Sequence, residues 1–478
     1  GRRGVARGPA RAYASGVDRT RAFVPDFLFA DGALRPGAAL SVRGGLVAAI
    51  GEPPPESDVV RLPGRVLLPG LVSAHGHAFQ RVLRGRAERA GTGRSFWSWR
   101  DVMYAAASRL SPDDLEVVSR FAFHELARAG VTCAGEFHYL HRDPEGRPYA
   151  DPAELELRVV HAARDVGLRI VLLRAAYARA GFGLPPEPGQ RRFVEPSPDV
   201  ALAALDRLAS AVRGDPLASV GIAPHSVRAC PADWIRLLAD EARRRGLPLH
   251  VHAAEQPAEL DICRLEHGLS PVRLLEREGA LGPATTLVHA IHVDDADVRA
   301  IGAARATVCA CPTTERNLAD GIVPADHLLQ AGARLALGVD SHAQVDLLEE
   351  ARALELHLRL VRQERAVLDD PPGSLAATLL AAATAGGMAS LGLAGGRLAP
   401  GEPADFVLVD LDDPSVAGAA PDALLAAIVF GGSVRAIRAT YVAGEPVVED
   451  GRAAPGRVPG ERALADFRAA LGRLWGEG

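Results

Sequence analysis

Short apolar runs alternate with amphipathic segments through the middle of the chain. Eight runs have the length and composition of β-strands: 66–74, 131–137, 168–177, 219–225, 247–254, 285–290, 306–311 and 334–340. Between them lie Ala-, Leu- and Arg-rich segments with helical periodicity, among them 112–129, 152–166, 198–212, 231–245 and 258–278. Eight strands separated by helices predict an α/β fold. We expect a parallel (β/α)8 barrel over residues 66–393, with functional groups at the carboxyl ends of the strands.

The two flanks of this region have a different pattern, with short strand-like pieces and turns. Residues 21–65 and residues 394–456 share it, which predicts a small composite β-sandwich domain built from both flanks. The pattern of residues 457–478 predicts a C-terminal helix that packs on the outside of the protein. Residues 1–20 are rich in Arg, Ala and Gly and predict a disordered tail, although a mitochondrial-type presequence has a similar composition.

Composition narrows the classes of function. Of the 478 residues 48% are hydrophobic, yet no apolar run reaches the length of about 18 residues that a membrane-spanning helix needs. The formal net charge of −5 gives no electrostatic reason to bind nucleic acid or an anionic membrane. All 54 basic residues are arginine, which excludes Schiff-base, P-loop-lysine and carboxylated-lysine chemistry.

The five cysteines are odd in number and lie in apolar surroundings: Cys133, Cys230, Cys263, Cys309 and Cys311. This pattern is typical of reduced thiols and predicts a cytoplasmic protein. Cys309-Ala-Cys311 has the spacing of a metal-binding pair. It lies inside an apolar run without a second such pair, so core packing is the favoured interpretation.

His75-Gly-His77 directly follows the first apolar run. In a strand, residues i and i+2 point to the same side, so both imidazoles project toward one point. Two neutral imidazoles that face a common centre are typical of protein sites for zinc or iron. Taken alone, the motif also fits a pair of exposed loop histidines. A doubly wound sheet is disfavoured, because such a sheet usually carries a glycine-rich turn after its first strand.

Further imidazole and carboxylate groups stand at the ends of later runs. His252 closes the fifth run, His289 the sixth and Asp340 the eighth. Any one of these is usually a hydrogen-bonded core or loop residue, but a barrel brings all of these strand ends together. The sequence therefore predicts a site for one divalent metal ion. We expect zinc, although iron and manganese share such ligand sets.

The residue types define a class of reaction. Three imidazoles and one carboxylate leave a position for water, whose pKa a zinc ion lowers toward ~7. Asp340 can accept a proton from that water, and Glu255, three residues after His252, can carry protons to the leaving group. His289 can stabilise the negative charge that develops. The predicted chemistry is metal-assisted hydrolysis of a C–N or C–X bond.

The order HxH, HxxE, His and Asp resembles the amidohydrolase superfamily. Within it, residues from about 66 to 365 resemble the bacterial formimidoylglutamate deiminases of histidine breakdown. The motifs that carry this resemblance are His75-Gly-His-Ala-Phe-Gln-Arg81, Ser95-Phe-Trp-Ser-Trp-Arg100, Gly135-Glu-Phe-His-Tyr139, Gly189-Gln-Arg-Arg-Phe193, Ala223-Pro-His-Ser-Val-Arg228, His252-Ala-Ala-Glu-Gln256 and Cys311-Pro-Thr-Thr-Glu315. The HxH and HxxE elements are shared across the superfamily, whereas the FWSWR, EFHY, GQRRF and CPTTE pieces are more specific.

The resemblance implies a site residue by residue. The metal ligands would be His75, His77, His252 and Asp340. The catalytic groups would be Glu255, His289 and Asp340. The substrate contacts would be Gln80, Arg100, Tyr139, His225 and Arg228. The reaction would convert N-formimino-L-glutamate and water into N-formyl-L-glutamate and ammonia, in a cytoplasmic homodimer.

A physical argument supports the substrate contacts. N-formimino-L-glutamate is a small dicarboxylate, and arginine is the usual bidentate partner of a carboxylate. Arg100 and Arg228 both fall in strand-end loops, so we expect them to bind these carboxylates; surface charge is the alternative. His250 lies close to His252, but the HxxE spacing assigns the metal to His252.

Two other functions stay open. Another deaminase of the superfamily, acting on a nucleobase-like compound or other aromatic amine, would need stacking groups more than paired arginines. A non-enzymatic scaffold is disfavoured because every ligand and both proton-transfer groups are present. Ile291, Val339 and Arg316 stand where a Thr, a Ser and a small residue are usual in the family, which leaves the substrate preference open.

Overall fold

The computed structural model describes residues 19–88 and 96–476. Its strands are β1 (Arg21–Ala30), β2 (Ala33–Pro36), β3 (Ala39–Arg43), β4 (Leu46–Gly51), β5 (Asp58–Pro69), β6 (Leu71–Gly76), β7 (Val131–His138), β8 (Arg169–Ala176), β9 (Ala218–Pro224), β10 (Leu249–Ala253), β11 (Thr285–His289), β12 (Thr307–Ala310), β13 (Arg334–Leu337), β14 (Phe406–Asp410), β15 (Ile437–Val442), β16 (Glu445–Glu449) and β17 (Arg452–Ala453).

Its α-helices are α1 (Phe96–Ala107), α2 (Pro112–Arg128), α3 (Glu154–Val166), α4 (Pro198–Ala211), α5 (Ala232–Arg245), α6 (Pro257–His267), α7 (Pro271–Arg277), α8 (Asp295–Ala303), α9 (Pro312–Leu318), α10 (Ala325–Gln330), α11 (Leu347–Arg362), α12 (Leu375–Ala382), α13 (Ala385–Ser390), α14 (Leu424–Gly431) and α15 (Gly460–Trp475). None of these helices is both long and apolar enough to cross a membrane. Residues 1–18 of the predicted tail (1–20) lie outside the described residues.

Strands β6 to β13 form the barrel, and they pair side by side in chain order. Every pairing between neighbours is parallel. A parallel bridge between Gly76 and Asp340 joins the carboxyl ends of the two outermost strands, β6 and β13. A Cβ atom on Gly338 would lie only 2.6 Å from the carbonyl oxygen of His75, so this close approach requires glycine. The predicted (β/α)8 barrel is confirmed.

The first predicted strand, 66–74, is in fact two strands of different sheets. β5 continues to Pro69 and pairs with β1 and β14, whereas β6 begins at Leu71 in the barrel. Gly70 lies between them and donates its N–H to the carbonyl of Asp405 at 2.9 Å. A Cβ atom there would lie 2.4 Å from a threonine of β7. The apolar run concealed the change of sheet because both halves are buried.

The strands of the two flanks form one nine-stranded sheet within the described residues. Its order is β17-β16-β15-β14-β5-β1-β3-β4, with β2 on β1. β5 from the first flank pairs antiparallel with β14 from the second. The sheet curls around a core in which the Phe23 ring lies 5.0 Å from that of Phe406 and 5.4 Å from that of Tyr441. A separate sheet domain built from both flanks therefore accompanies the barrel.

The helices follow the predicted segments with one difference. The segment 258–278 is two helices, α6 and α7. Gly268 ends α6 with a φ of 69°, and the Ser270 side chain accepts a backbone N–H of the first turn of α7. α15 packs on α2, where the rings of Phe467 and Phe121 stack 4.4 Å apart.

A buried ion pair joins the sheet domain to the barrel. Arg169, at the start of β8, donates to the Asp405 carboxylate over distances of 3.0 and 3.2 Å. The same carboxylate accepts the backbone N–H of Ala443 at 2.7 Å. Because the Asp405 carbonyl also receives the Gly70 N–H, one aspartate fixes the point at which the chain passes between the two sheets.

Replacing Asp405 with asparagine should lower the free energy of unfolding by about 3–5 kcal/mol, because the buried Arg169 guanidinium then faces an amide and not a carboxylate charge. Urea unfolding followed by intrinsic fluorescence measures the change. Asp450→Asn is the matched control, since Asp450 is exposed and lies 3.6 Å from Arg438, and it should change stability by less than about 0.5 kcal/mol. Equal effects of the two substitutions would contradict this assignment.

Candidate active site

Three histidines converge at the carboxyl end of the barrel. His75 lies near the end of β6 and His77 directly follows this strand, whereas His252 is the last residue but one of β10. The Nε2 atoms of His75 and His252 are 3.2 Å apart, and ligand-type nitrogens of all three rings lie within 4.8 Å of one another. Oδ1 of Asp340 lies 3.4 Å from Nε2 of His75 and 3.3 Å from Nε2 of His77. The four side chains that the sequence singles out are therefore adjacent and buried.

Backbone carbonyls fix how two of these rings are turned. Nδ1 of His77 donates to the carbonyl of Phe137 at 2.7 Å, and Nδ1 of His252 donates to that of His225 at 2.9 Å. A neutral imidazole has one N–H, so each Nε2 is left with a lone pair that faces the common centre. Lone pairs and a carboxylate in such proximity repel each other unless a cation lies among them.

The spacing fits a metal ion. Ligand atoms held ~2.0–2.1 Å from a tetrahedral Zn²⁺ lie about 3.3–3.4 Å from one another. The measured separations of 3.2, 3.3 and 3.4 Å match that value. These three separations fit His75, His77, His252 and Asp340 as ligands of one divalent ion.

Electrostatics favours the ligand forms of these groups. Burial lowers the pKa of His75 to about 3 and also lowers the pKa values of His77 and His252, so all three rings are neutral at pH 7. Burial opposes ionisation of Asp340, but its hydrogen bond with His75 and the nearby His289 hold its pKa below the usual range. Neutral imidazole and ionised carboxylate are the forms that coordinate metal.

His289 lies on the other side of Asp340. Its Nε2 is 3.8 Å from Oδ2 of Asp340 and 3.7 Å from Oε1 of Glu255. Its Nδ1 is 3.2 Å from Oε1 of Glu315. Burial alone would lower the pKa of His289, but the charge of Glu255 and the hydrogen bond to Glu315 raise it well above the usual value. Burial raises the pKa of Glu255, and His289 and Arg228 oppose that rise.

A cavity opens beside these groups. It is lined by the five predicted substrate contacts, Gln80, Arg100, Tyr139, His225 and Arg228. Aromatic side chains form much of the remaining wall: Phe96, Trp99, Tyr104, Tyr177 and Phe193. The structure therefore brings the predicted site residues to one cavity, except for His75, which lies next to it in contact with His252 and Asp340.

The two arginines differ in their contacts. Among the described residues, Nε and Nη1 of Arg228 have no hydrogen-bond partner although both atoms are buried. Arg100 donates to Glu187 over 3.2 Å, and its guanidinium lies 4.6 Å from the Trp97 ring and 5.1 Å from the Tyr104 ring. A buried guanidinium with unused donors is costly on its own and is suited to bind an anion.

Sequence reasoning missed two buried residues of this region. Glu315 contacts His289, and Gln190 donates to the hydroxyls of Tyr104 and Tyr177 at 2.9 and 3.0 Å. Both belong to the specific motifs quoted above, CPTTE and GQRRF. Their place in those motifs was the only indication in the sequence that they belong to the site. Their partners could not be predicted, because they lie far away along the chain.

Comparisons with known proteins agree with this geometry. The Amidohydrolase family profile matches residues 66–447, which include the barrel and most of the second flank, and the chain belongs to this family. A formimidoylglutamate deiminase from Pseudomonas aeruginosa is 42% identical over 438 residues, spanning 89% of this chain and 95% of that protein.

Two further relatives extend the comparison. An 8-oxoguanine deaminase from Pseudomonas aeruginosa is 33% identical over 363 residues, or 74% of this chain and 76% of that protein. The crystal structure of an amidohydrolase from Brucella melitensis aligns with a TM-score of 0.87 and 31% identity, over 95% of this chain and 99% of that one. The predicted membership of the superfamily is confirmed.

His250 lies on β10, two residues before His252, and provides a test of the buried environment inside the barrel. It points into the barrel, where Nε2 donates to the Ser390 carbonyl at 2.9 Å, and burial lowers its pKa to about 4. An unfolded histidine binds its proton near pH ~6.5. The unfolded state therefore holds more protons between pH 4 and 6.5, so stability is complete above this window and is lost as pH falls through it.

His250→Gln keeps a donor for the Ser390 carbonyl but has no group that binds a proton in this range. Between pH 6.5 and pH 5, the free energy of unfolding of this variant should therefore fall by about 2 kcal/mol less than that of wild type. The measurement is urea unfolding of variant and wild type at both pH values. His161→Gln, at an exposed position of α3, should leave the pH dependence unchanged. A His250→Gln variant with the wild-type pH dependence would refute the assignment.

Proposed function

We propose that this chain hydrolyses N-formimino-L-glutamate to N-formyl-L-glutamate and ammonia. The observation that carries the proposal is the buried guanidinium of Arg228, whose Nε and Nη1 lack partners among the described residues. It opens into the same cavity as the imidazole cluster and Arg100. The 42% identity to the Pseudomonas aeruginosa formimidoylglutamate deiminase supports the same reaction.

The charges of the cavity suit the two ends of this substrate. Its formimino group is an amidine and therefore a cation at neutral pH, and it would face the acidic side formed by Glu255 and Asp340. Its two carboxylates would face Arg100 and Arg228 on the other side, where bidentate pairing is available. Gln80, Tyr139 and His225 would contact the substrate between these ends. The Gln80 amide already donates to the Tyr139 hydroxyl at 2.7 Å.

His75, His77, His252 and Asp340 would hold one divalent ion, for which we propose zinc. Such an ion lowers the pKa of a water molecule toward ~7 and so makes a nucleophile available at neutral pH. The ligand set of three nitrogens and one oxygen is of a type that zinc accepts.

The remaining steps belong to the chain's own side chains. Asp340 accepts the proton of the water whose oxygen bonds to the formimino carbon. His289, held cationic by its carboxylate neighbours, offsets the negative charge that develops beside Asp340. Glu255 delivers a proton to the terminal nitrogen, the bond between that nitrogen and the carbon breaks, and ammonia leaves. The carbon keeps the new oxygen, whose remaining proton passes to the Glu255 carboxylate, as the carbonyl of N-formyl-L-glutamate. The proton that Asp340 accepted is released to ammonia, which leaves as ammonium.

One observation favours a second candidate substrate. The aromatic wall of the cavity could stack on a nucleobase-like ring, and the chain is 33% identical to an 8-oxoguanine deaminase. Two arginines on one small cavity argue against a neutral base. A non-enzymatic scaffold is disfavoured because the groups for water activation and proton transfer lie together.

We also propose a cytoplasmic homodimer that binds neither nucleic acid nor membrane. All five cysteines are buried and unpaired, which supports a reducing compartment. The dimer rests on the family resemblance, and sedimentation velocity tests it directly.

Zinc-loaded protein should release ammonia from N-formimino-L-glutamate, with N-formyl-L-glutamate identified by mass spectrometry. Formamide and glutamate as products would contradict the proposed bond cleavage. Turnover of 8-oxoguanine or another purine in place of the dicarboxylate would favour the second candidate.

The Asp340→Asn variant should have a kcat about 100-fold or more below that of wild type, because the substitution removes a proton acceptor. Circular dichroism should show that the Asp340→Asn variant keeps its fold.

Arg228→Met should raise KM and lower kcat/KM for N-formimino-L-glutamate by about 30- to 1000-fold, because one carboxylate loses its buried cationic partner. Steady-state kinetics measures the change. Analogues of the substrate that lack one carboxylate or the other are the control. Wild type and variant should differ little on the analogue without the carboxylate that Arg228 binds. An unchanged kcat/KM for the full substrate would remove Arg228 from the carboxylate site.

A further inference from the structure

His289 is enclosed by carboxylates at both ring nitrogens. Nε2 faces Glu255 and Asp340 at 3.7 and 3.8 Å, toward the cavity. Nδ1 faces Oε1 of Glu315 at 3.2 Å, away from the cavity wall. The hydrolytic steps described above use only the Nε2 side of the ring, and they leave the Glu315 side without an assigned role.

Glu315 is held firmly in place. It lies in the first turn of α9, directly after β12, and only 2% of the residue is exposed. Its Oε1 atom accepts the backbone N–H of Cys311 at 2.9 Å as well as the contact from His289. Because one oxygen receives both donors, the carboxylate is anchored to the end of β12 and cannot turn without breaking a buried hydrogen bond.

The backbone at His289 has an unfavourable conformation. His289 has a φ of 74° and Ala290 a φ of 51°, so the chain is left-handed at two consecutive residues that are not glycine. Such conformations persist only where surrounding contacts enforce them. A hydrogen bond to Nδ1 is the contact that defines which nitrogen of the ring faces the cavity.

We propose that Glu315 is a positioning residue for this hydrolytic reaction. Its carboxylate accepts the Nδ1–H of His289 in a charge-assisted hydrogen bond and turns Nε2 toward the reacting atoms between Glu255 and Asp340. The catalytic part of this inference rests on the proposed function. The hydrogen bond and its effect on the ring do not.

Two other roles for Glu315 would produce different results. It could serve only to anchor α9 through Cys311, in which case the charge of the carboxylate would not matter. It could also hold a metal ion together with His289 and Cys311, whose ligand atoms are near one another. Burial raises the pKa of the Cys311 thiol well above its usual value, which opposes the thiolate that such an ion requires.

Glu315→Gln separates charge from position. The amide oxygen can still accept from both Cys311 and His289, so the hydrogen bonds are retained while the negative charge is lost. Glu350→Gln is the matched control: Glu350 is equally buried and accepts the backbone N–H of Thr313, in the same helix α9, at 2.8 Å. Glu315→Ala removes both charge and acceptor.

Kinetics of the zinc-loaded variants provides the first readout. Glu315→Gln should lower kcat by about 10- to 100-fold, because a neutral amide oxygen is a weaker acceptor than a carboxylate and orients the His289 ring less firmly, with KM changed by less than threefold. Glu315→Ala should be at least as impaired. Glu350→Gln should keep kcat within twofold of wild type. The zinc content of all variants should equal that of wild type. A Glu315→Gln enzyme as active as Glu350→Gln, or one that loses zinc in proportion to activity, would overturn the proposal.

Nuclear magnetic resonance of protein labelled with ¹⁵N-histidine provides a readout that needs no substrate. The Nδ1–H signal of His289 is identified by its loss in His289→Gln. It should shift in Glu315→Gln and stay in place in Glu350→Gln. His141, whose Nδ1 lies 2.8 Å from Glu156 in another part of the barrel, is the internal reference. An unshifted His289 signal in Glu315→Gln would refute the hydrogen bond. An enzyme inactive on N-formimino-L-glutamate would refute only the proposed function.

Discussion

The structure depends on one electrostatic constraint: the lone pairs of two neutral imidazoles, those of His77 and His252, face the His75 ring and the Asp340 carboxylate at the carboxyl end of the barrel. His77 and His252 give their only N–H groups to backbone carbonyls, so neither ring can relieve the repulsion by turning. The close approach of β6 to β13 at Gly338 brings Asp340 against the rings. A cation held among these groups would offset the repulsion between them.

The cavity carries charges of both signs. Glu255 and Asp340 lie near Nε2 of His289. Arg100 and Arg228 line the same cavity, with the Trp97 ring near both guanidinium groups. A molecule that carries both a cationic and an anionic group would therefore find a partner for each group in one cavity.

The fold could be predicted because its signals are periodic and local. Eight apolar runs, and His75, His252 and Asp340 at their ends, are visible without knowing what they contact. The change of sheet at Gly70 was missed because burial on both sides hides it, and the break at Gly268 because one glycine is a weak signal in a helical segment. Glu315 contacts His289, which lies on the neighbouring strand β11. No regular spacing along the chain predicts that these two residues meet. Ile291 and Val339 are buried near the site, and nothing in their packing explains why they depart from the family pattern.

The pairing of β5 with β14 also governs the order in which the protein can be made. On the ribosome, β1 to β5 emerge before the barrel, and β14, the partner of β5 in the sheet, is separated from them by the whole barrel. During synthesis, one edge of β5 therefore has no partner until residues 406–410 have left the exit tunnel. Unpaired edges invite association with other chains. The early strands must either wait in a protected state or rely on the growing barrel to shield them, so slow translation of the second flank prolongs the interval of greatest risk for aggregation.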